Sequence, residues 1–125
     1  MVKYLRDGSV SEYSIQKTVV EWLKLNHILH FSIPNEMADN AIKGRRLREI
    51  GLKKGASDLF ICEAHHKFHG MFLELKSANG KLKPEQRDFF RLVENQKYFT
   101  ALCFSVDDAI SILSWYVSVP YQNKA

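Results

Sequence analysis

Apolar positions at Ile15, Val19, Trp22 and Leu23 recur at i, i+4, i+7 and i+8. That spacing puts them on one stripe of a helix, and it predicts an amphipathic helix over 9–26. Ser9 with Glu12 three residues on matches a capping box at its start. A short apolar run over 28–33, stopped by Pro34, predicts a strand. Residues 35–57 are polar and basic, with Gly44, Gly51 and Gly55 and no sustained period; so long a connection in a small domain is usually functional. Strand patterns follow over 58–64 and 71–77, separated by His65-His66-Lys67-Phe68-His69-Gly70, which suits a hairpin turn. After a turn at Asn79-Gly80-Lys81, Pro84 fits the first position of a helix to about residue 96, with Phe89, Leu92 and Val93 inward. A last strand over 98–105 and a last helix over 106–116 complete the pattern, and the tail after Ser118 is expected to fray. The expected order is αβββαβα: an α/β fold with a mixed β-sheet flanked by helices, partly antiparallel because of the hairpin.

The 125 residues fit a single domain over 1–125, with its core at about 11–116. At 46% hydrophobic and 26% charged the chain reads as globular rather than disordered. No apolar run approaches the ~20 residues that span a bilayer, and the first residues show no apolar signal region. A cytoplasmic protein of a bacterium or a virus-infected cell, with no membrane partner, is expected. Cys62 and Cys103 both sit in strand-like runs. A disulfide between neighbouring strands is open to them, with buried reduced thiols the expected state.

The net charge of +4 is compatible with a polyanionic partner. Its distribution says more, because Lys43, Arg45, Arg46, Arg48, Lys53 and Lys54 crowd one stretch against the single acid Glu49. A solvated face and a nucleic-acid surface both fit such a cluster.

The strongest chemical signal is Phe72-Leu73-Glu74-Leu75-Lys76. Strand side chains alternate, so Glu74 and Lys76 project from one face with alpha carbons about 6.6 Å apart, opposite Met71, Leu73 and Leu75. Charges on an apolar strand are seldom buried unless they pair or bind a metal. Asp58 stands where Gly55-Ala56-Ser57 enters the preceding strand, and a hairpin would bring it to Glu74. Two carboxylates there, with the Leu75 carbonyl, suit Mg²⁺, for which Mn²⁺ would substitute; Lys76 would then orient water or offset charge on phosphorus. A structural ion pair at 74 and 76 and a strand start at 58 are the plainer readings of each piece alone.

Gly55-Ala56-Ser57-Asp58-Leu59, a hairpin, Phe72-Leu73-Glu74-Leu75-Lys76, and Gly80-Lys81-Leu82-Lys83-Pro84-Glu85-Gln86 together resemble the PD-(D/E)xK nuclease superfamily. More narrowly, they are similar to the virus-type replication-repair nuclease family, VRR-NUC. Ile33-Pro34-Asn35-Glu36 and the basic stretch also look like that family. Ser57 stands where the family commonly has proline, which removes a rigid element before Asp58. The resemblance implies that Asp58 and Glu74 bind a divalent metal, that Lys76 is catalytic, and that an acid on the first helix completes the site. Helical angle selects Glu12 over Glu21, since Glu12 shares a sector with Val19 and Leu23; capping with Ser9 is its other reading. Gln16, one turn on, would contact DNA or orient a ligand. Gln86 lies on the face of Phe89 and would support the site or simply close the helix start. His65, His66 and His69 lack a further ligand nearby and read as solvated turn residues rather than a zinc cluster.

Three functions follow. The first is a Mg²⁺-dependent, structure-selective endodeoxyribonuclease resolving Holliday junctions, as the resemblance to small viral members implies. Two symmetric cuts need two active sites, so a homodimer on branched DNA is expected, with the 43–54 stretch gripping phosphates. The second is a restriction-like or repair nuclease on duplex or flap DNA. The third is an inactive DNA-binding module.

Overall fold

The computed structural model describes residues 8–35 and 40–118. Glu36 and the tail beyond Ser118 lie outside the described residues. The elements are α1 (Glu12–Leu25), β1 (His30–Ser32), α2 (Ala41–Glu49), β2 (Leu59–Ile61), β3 (Met71–Leu75), α3 (Pro84–Asn95), β4 (Phe99–Cys103) and α4 (Val106–Val117). Seven of them match the periodicity; α2 is additional. None of the described helices is long and apolar enough to cross a membrane.

The four strands lie in the order β1-β2-β3-β4, antiparallel across the first two pairs and parallel between β3 and β4. The register sets Leu59 against Leu73 and Ile61 against Met71. Those side chains, with Leu75, form one buried face, covered by Ile15, Val19, Trp22 and Leu23 of α1 and by Ala109, Leu113 and Tyr116 of α4. On the other face Phe31, Phe60 and Phe72 stand in one cross-strand row. Phe89 of α3 closes edge-on over Phe72, ring centroids 5.0 Å apart. The sheet is therefore sandwiched, with α1 and α4 on its apolar side and α3 on the side that carries Glu74 and Lys76.

Local chemistry explains the element ends, and in places corrects the expectation. The N-cap of α1 is Ser11, whose hydroxyl accepts from the Ser14 N–H at 3.2 Å. Glu12 is thus the first helical residue and not the third, and the expected Ser9–Glu12 capping box does not form. Helix α2 is capped by Asn40, which accepts from the Lys43 N–H at 2.7 Å. Only Gly44 of α2 is buried, so no apolar stripe announced it. Leu92 is 53% exposed rather than inward. Gln86, Phe90 and Val93 all lie to one side of Phe89 around the helix, and Leu92 falls about 60° to the other.

Cys62 is exposed, against expectation, and Cys103 is buried; both are free thiols. Of the hairpin histidines, His66 and His69 are exposed, as expected of turn residues, and His65 is half-buried. His66 stacks on Trp115 at 4.1 Å and bonds its carbonyl at 3.0 Å, while His65 pairs with Glu63 at 3.0 Å.

Candidate active site

Because β2 and β3 pair antiparallel with Leu59 opposite Leu73, Asp58 falls beside Glu74 at the end of the ladder. Asp58 Oδ2 accepts from the Leu75 N–H at 2.7 Å, which locks the carboxylate onto β3. The loop leading into it is held from two sides. Asn35 Nδ2 donates to the Ala56 carbonyl at 2.8 Å. Gly55, at φ +88°, lies so close to the start of α3 that an added Cβ would fall 2.6 Å from the Glu85 carbonyl carbon; glycine alone meets both demands. Ser57 is fully buried, its hydroxyl without a hydrogen-bond partner.

Glu74 is 3% and Lys76 6% exposed. Lys76 Nζ approaches Glu74 Oε2 at 3.6 Å, and Gln86 Nε2 donates to the same oxygen at 3.1 Å. The other end of the Gln86 amide accepts from the Lys83 N–H at 2.8 Å. A backbone N–H can only donate, so it holds the Gln86 oxygen and turns the NH₂ toward Glu74. The helix start and the site support are therefore one device. Burial first, and then the neighbouring Asp58 carboxylate, push the Glu74 carboxyl up to about 8, against the lowering pull of Lys76.

These side chains line an open cavity of about 380 Å³ that also touches Glu12, Arg48, Lys54 and Lys83. Of the basic stretch, Arg48 and Lys54 reach this cavity. Lys43, Arg45, Arg46 and Lys53 are exposed and do not line it. Gln16 lines a neighbouring groove, as does Glu21, while Glu12 touches both. Lys83 and Asn35 were not singled out from sequence. Lys83 sits inside the glycine-to-glutamine motif and Asn35 in the run after Pro34, but only the folded chain turns them to the cavity.

The donor set can be tested against a divalent ion. Two hard carboxylates meet, and Glu74 Oε1 is buried with no hydrogen-bond partner. An orphaned acceptor beside a second carboxylate is what a cation would satisfy. Among the described residues, however, no three of His, Cys, Asp and Glu stand close enough to hold a metal by side chains alone. Glu12 in particular points its Oε2 at the Ser77 N–H, at 3.4 Å. The fit is that of a two-carboxylate site with Glu12 at its rim.

The family model for the VRR-NUC domain matches residues 10–107. The chain belongs to the VRR-NUC family. A solved structure described as a VRR_NUC domain protein superimposes with a TM-score of 0.70 over 90% of this chain and 92% of that one, at 24% identity. No curated protein matches the chain. The VRR-NUC assignment makes it a nuclease, and the α/β sandwich is the fold of that family member.

Proposed function

We propose that this VRR-NUC chain is a Mg²⁺-dependent, structure-selective DNA endonuclease, acting as a homodimer that resolves Holliday junctions. The observation that carries the reading is the meeting of Asp58, Glu74 and Lys76 in a cavity rimmed by Arg48, Lys54 and Lys83. Asp58 and Glu74 would hold the ion, with the Leu75 carbonyl and, from the rim, Glu12; Mn²⁺ would substitute. When bound, Mg²⁺ supplies charge that polarises the phosphoryl oxygens and acidifies water. Lys76 holds a positive charge where negative charge develops on phosphorus during attack by water. Gln86 keeps Glu74 in one orientation, and a support of this kind matters because small displacements cost large factors in rate. Arg48, Lys54 and Lys83 grip flanking phosphates, which favours affinity over sequence readout. The compartment that fits this role is the cytoplasm.

The test is a cleavage panel in Mg²⁺ of four-way junction, flap, single-strand and linear duplex DNA. Junction cutting well above the matched duplex supports the reading, and preference for flap or duplex transfers it to a repair or restriction-like nuclease. Glu74→Ala and Lys76→Ala should each abolish cutting and leave DNA binding largely in place. Wild-type turnover in either variant removes the site assignment, and binding without cutting by the wild type in both Mg²⁺ and Mn²⁺ leaves a DNA-binding module.

A further inference from the structure

Helix α3 covers only part of the sheet face that carries Glu74. Its Phe89 lies on Phe72 of β3, and its Glu94 carboxylate accepts from the Thr100 hydroxyl of β4. Around the helix, Glu94 falls about 140° to one side of Phe89, while Leu92 and Asp88 fall about 60° and 100° to the other. That second flank looks along the sheet toward β2 and β1, where the aromatic row runs out from under α3. Phe60 is half-buried and Phe31 is 52% exposed, ring centroids 5.4 Å apart. Leu29 alternates onto the same face and is 62% exposed, and Leu92 is exposed beside them. Apolar side chains grouped in this way on one surface mark an interaction site. Asp58 shares this face two residues before Phe60 and lines the catalytic cavity, so the bare face adjoins the candidate active site.

Helix α2 presents the complementary surface. Gly44, the residue it buries, and Arg48, which lines the cavity, share one side. Ile42, Arg46 and Ile50 form a stripe centred about 180° away from them, and all three are exposed. The two surfaces also differ in charge. Beside the isoleucines α2 carries Lys43, Arg45 and Arg46 against Glu49. The flank of α3 beside Leu92 carries Glu85 and Asp88, and Asp88 meets Arg91 only loosely, at 4.0 Å. One chain thus holds a bare apolar sheet face with an acidic rim, and a basic helix with a bare apolar stripe.

From this match we infer that the second copy of the homodimer docks here, the Ile42–Ile50 stripe of each chain lying on the Phe31–Phe60 face of the other. The inference rests on the homodimer reading and names the surface that makes it. A two-fold dimer needs a patch that complements itself, so that the contact one chain makes through its helix is returned through its sheet. Isoleucine, leucine and phenylalanine supply the apolar centre, and cations of α2 meet the acids of α3 at the rim. DNA is the weaker occupant. Apolar side chains have no hydrogen bonds to offer phosphates, and Arg48, which α2 sends to the cavity, leaves from the opposite side of the helix.

The experiment is analytical ultracentrifugation of the wild type and of two charge variants, alone and mixed. Ile42→Glu/Ile50→Glu spoils the helix stripe, and Phe31→Lys/Leu92→Lys spoils the sheet face. The wild type is expected as a dimer. Each variant should raise the dimer dissociation constant at least about a hundredfold, as the loss of one or two anchor residues does. Mixed in equal amounts, the two should recover a dimer. The acidic stripe of one then meets the basic face of the other, while the remaining stripe and face are both intact. All four side chains are exposed, so both variants should fold, which circular dichroism checks. Variants that dimerise as tightly as the wild type overturn the inference and leave the homodimer to another surface. Weakened dimers with no recovery on mixing also overturn it, because the two surfaces then do not meet. A wild type that stays monomeric at every concentration removes the homodimer and its surface together. If the dimer behaves as expected but the wild type cuts no DNA in Mg²⁺, the nuclease mechanism fails and the docking surface stands.

Discussion

In chelator, Glu74 has no divalent cation to balance it, and its carboxyl is held at about 8 against an ordinary value of 4.5. Between those values the folded chain keeps a proton that the unfolded chain has released. The contribution of this group to stability is therefore greatest at low pH and declines as pH rises from about 4.5 to 8. Melting temperatures of wild type and Glu74→Gln in chelator should thus diverge, the wild type losing ground to the variant as pH rises. A difference that stays level, or moves the other way, contradicts the buried acid pair. The cysteines offer a separate check. Burial, with a smaller push from Asp108, raises the Cys103 thiol to about 11, whereas Cys62 is exposed. Alkylation of the native protein near neutral pH should modify Cys62 and leave Cys103 until unfolding; equal rates at both would show that the core is open. At this scale Glu74 and Lys76 were singled out by alternation along one strand, Asp58 by the hairpin and Gln86 by helical angle, with their roles supplied by the family resemblance, and the fold brings all four to one cavity. Lys83 was not, since a lysine before a helix proline has many uses and its turn toward the cavity is a tertiary fact.

The loop Gly55-Ala56-Ser57 shows how elements position a charge. Gly55 combines a left-handed backbone with a close approach to the first turn of α3, whereas Gly51, at φ +120°, has nothing within 4 Å of an added Cβ. Alanine at either position should destabilise through the backbone by about 1–2 kcal/mol. Only Gly55→Ala should also push the loop from α3 and shift Asp58 relative to Glu74, slowing DNA cutting at least tenfold. Thermal melts paired with cleavage rates for both variants decide it, and similar rates in the two would remove the positioning role. Helices α1, α3 and α4 were legible from their periods and the four strands from short strand-like runs, although β1 itself is half-buried to exposed. Helix α2 was not, because Ile42 and Ile50 are 67% and 83% exposed and a helix that buries only a glycine has no stripe to detect. Its signals were local, Asn40 at the start and Gly51 beyond the end.

Over the whole molecule the positive charge is not spread evenly around the site. Arg48 and Lys54 reach the cavity, while Lys43 and Arg46 are exposed and do not line it. Replacing Arg48 and Lys54 together by alanine should weaken DNA binding across sequences and reduce the slope of log affinity against log salt by about 2. Replacing Lys43 and Arg46 should change that slope less. Binding isotherms over a range of salt would show it, and equal slopes for the two pairs would mean that the long basic stretch acts as a uniform coat.

Period, turn chemistry and charge spacing were enough by themselves to define an α/β domain and to put Glu74 and Lys76 on one strand face, since both follow from local geometry; the nuclease reading and the roles expected of Asp58, Glu74 and Lys76 came with the resemblance to VRR-NUC. Which cations and which acid stand at the cavity depends on distances between residues far apart in the chain. Folding alone brought Lys83 and Asn35 to it and left Glu12 at the rim, where a second groove opens beside it, because packing of α1, α2 and α3 around the sheet sets those separations.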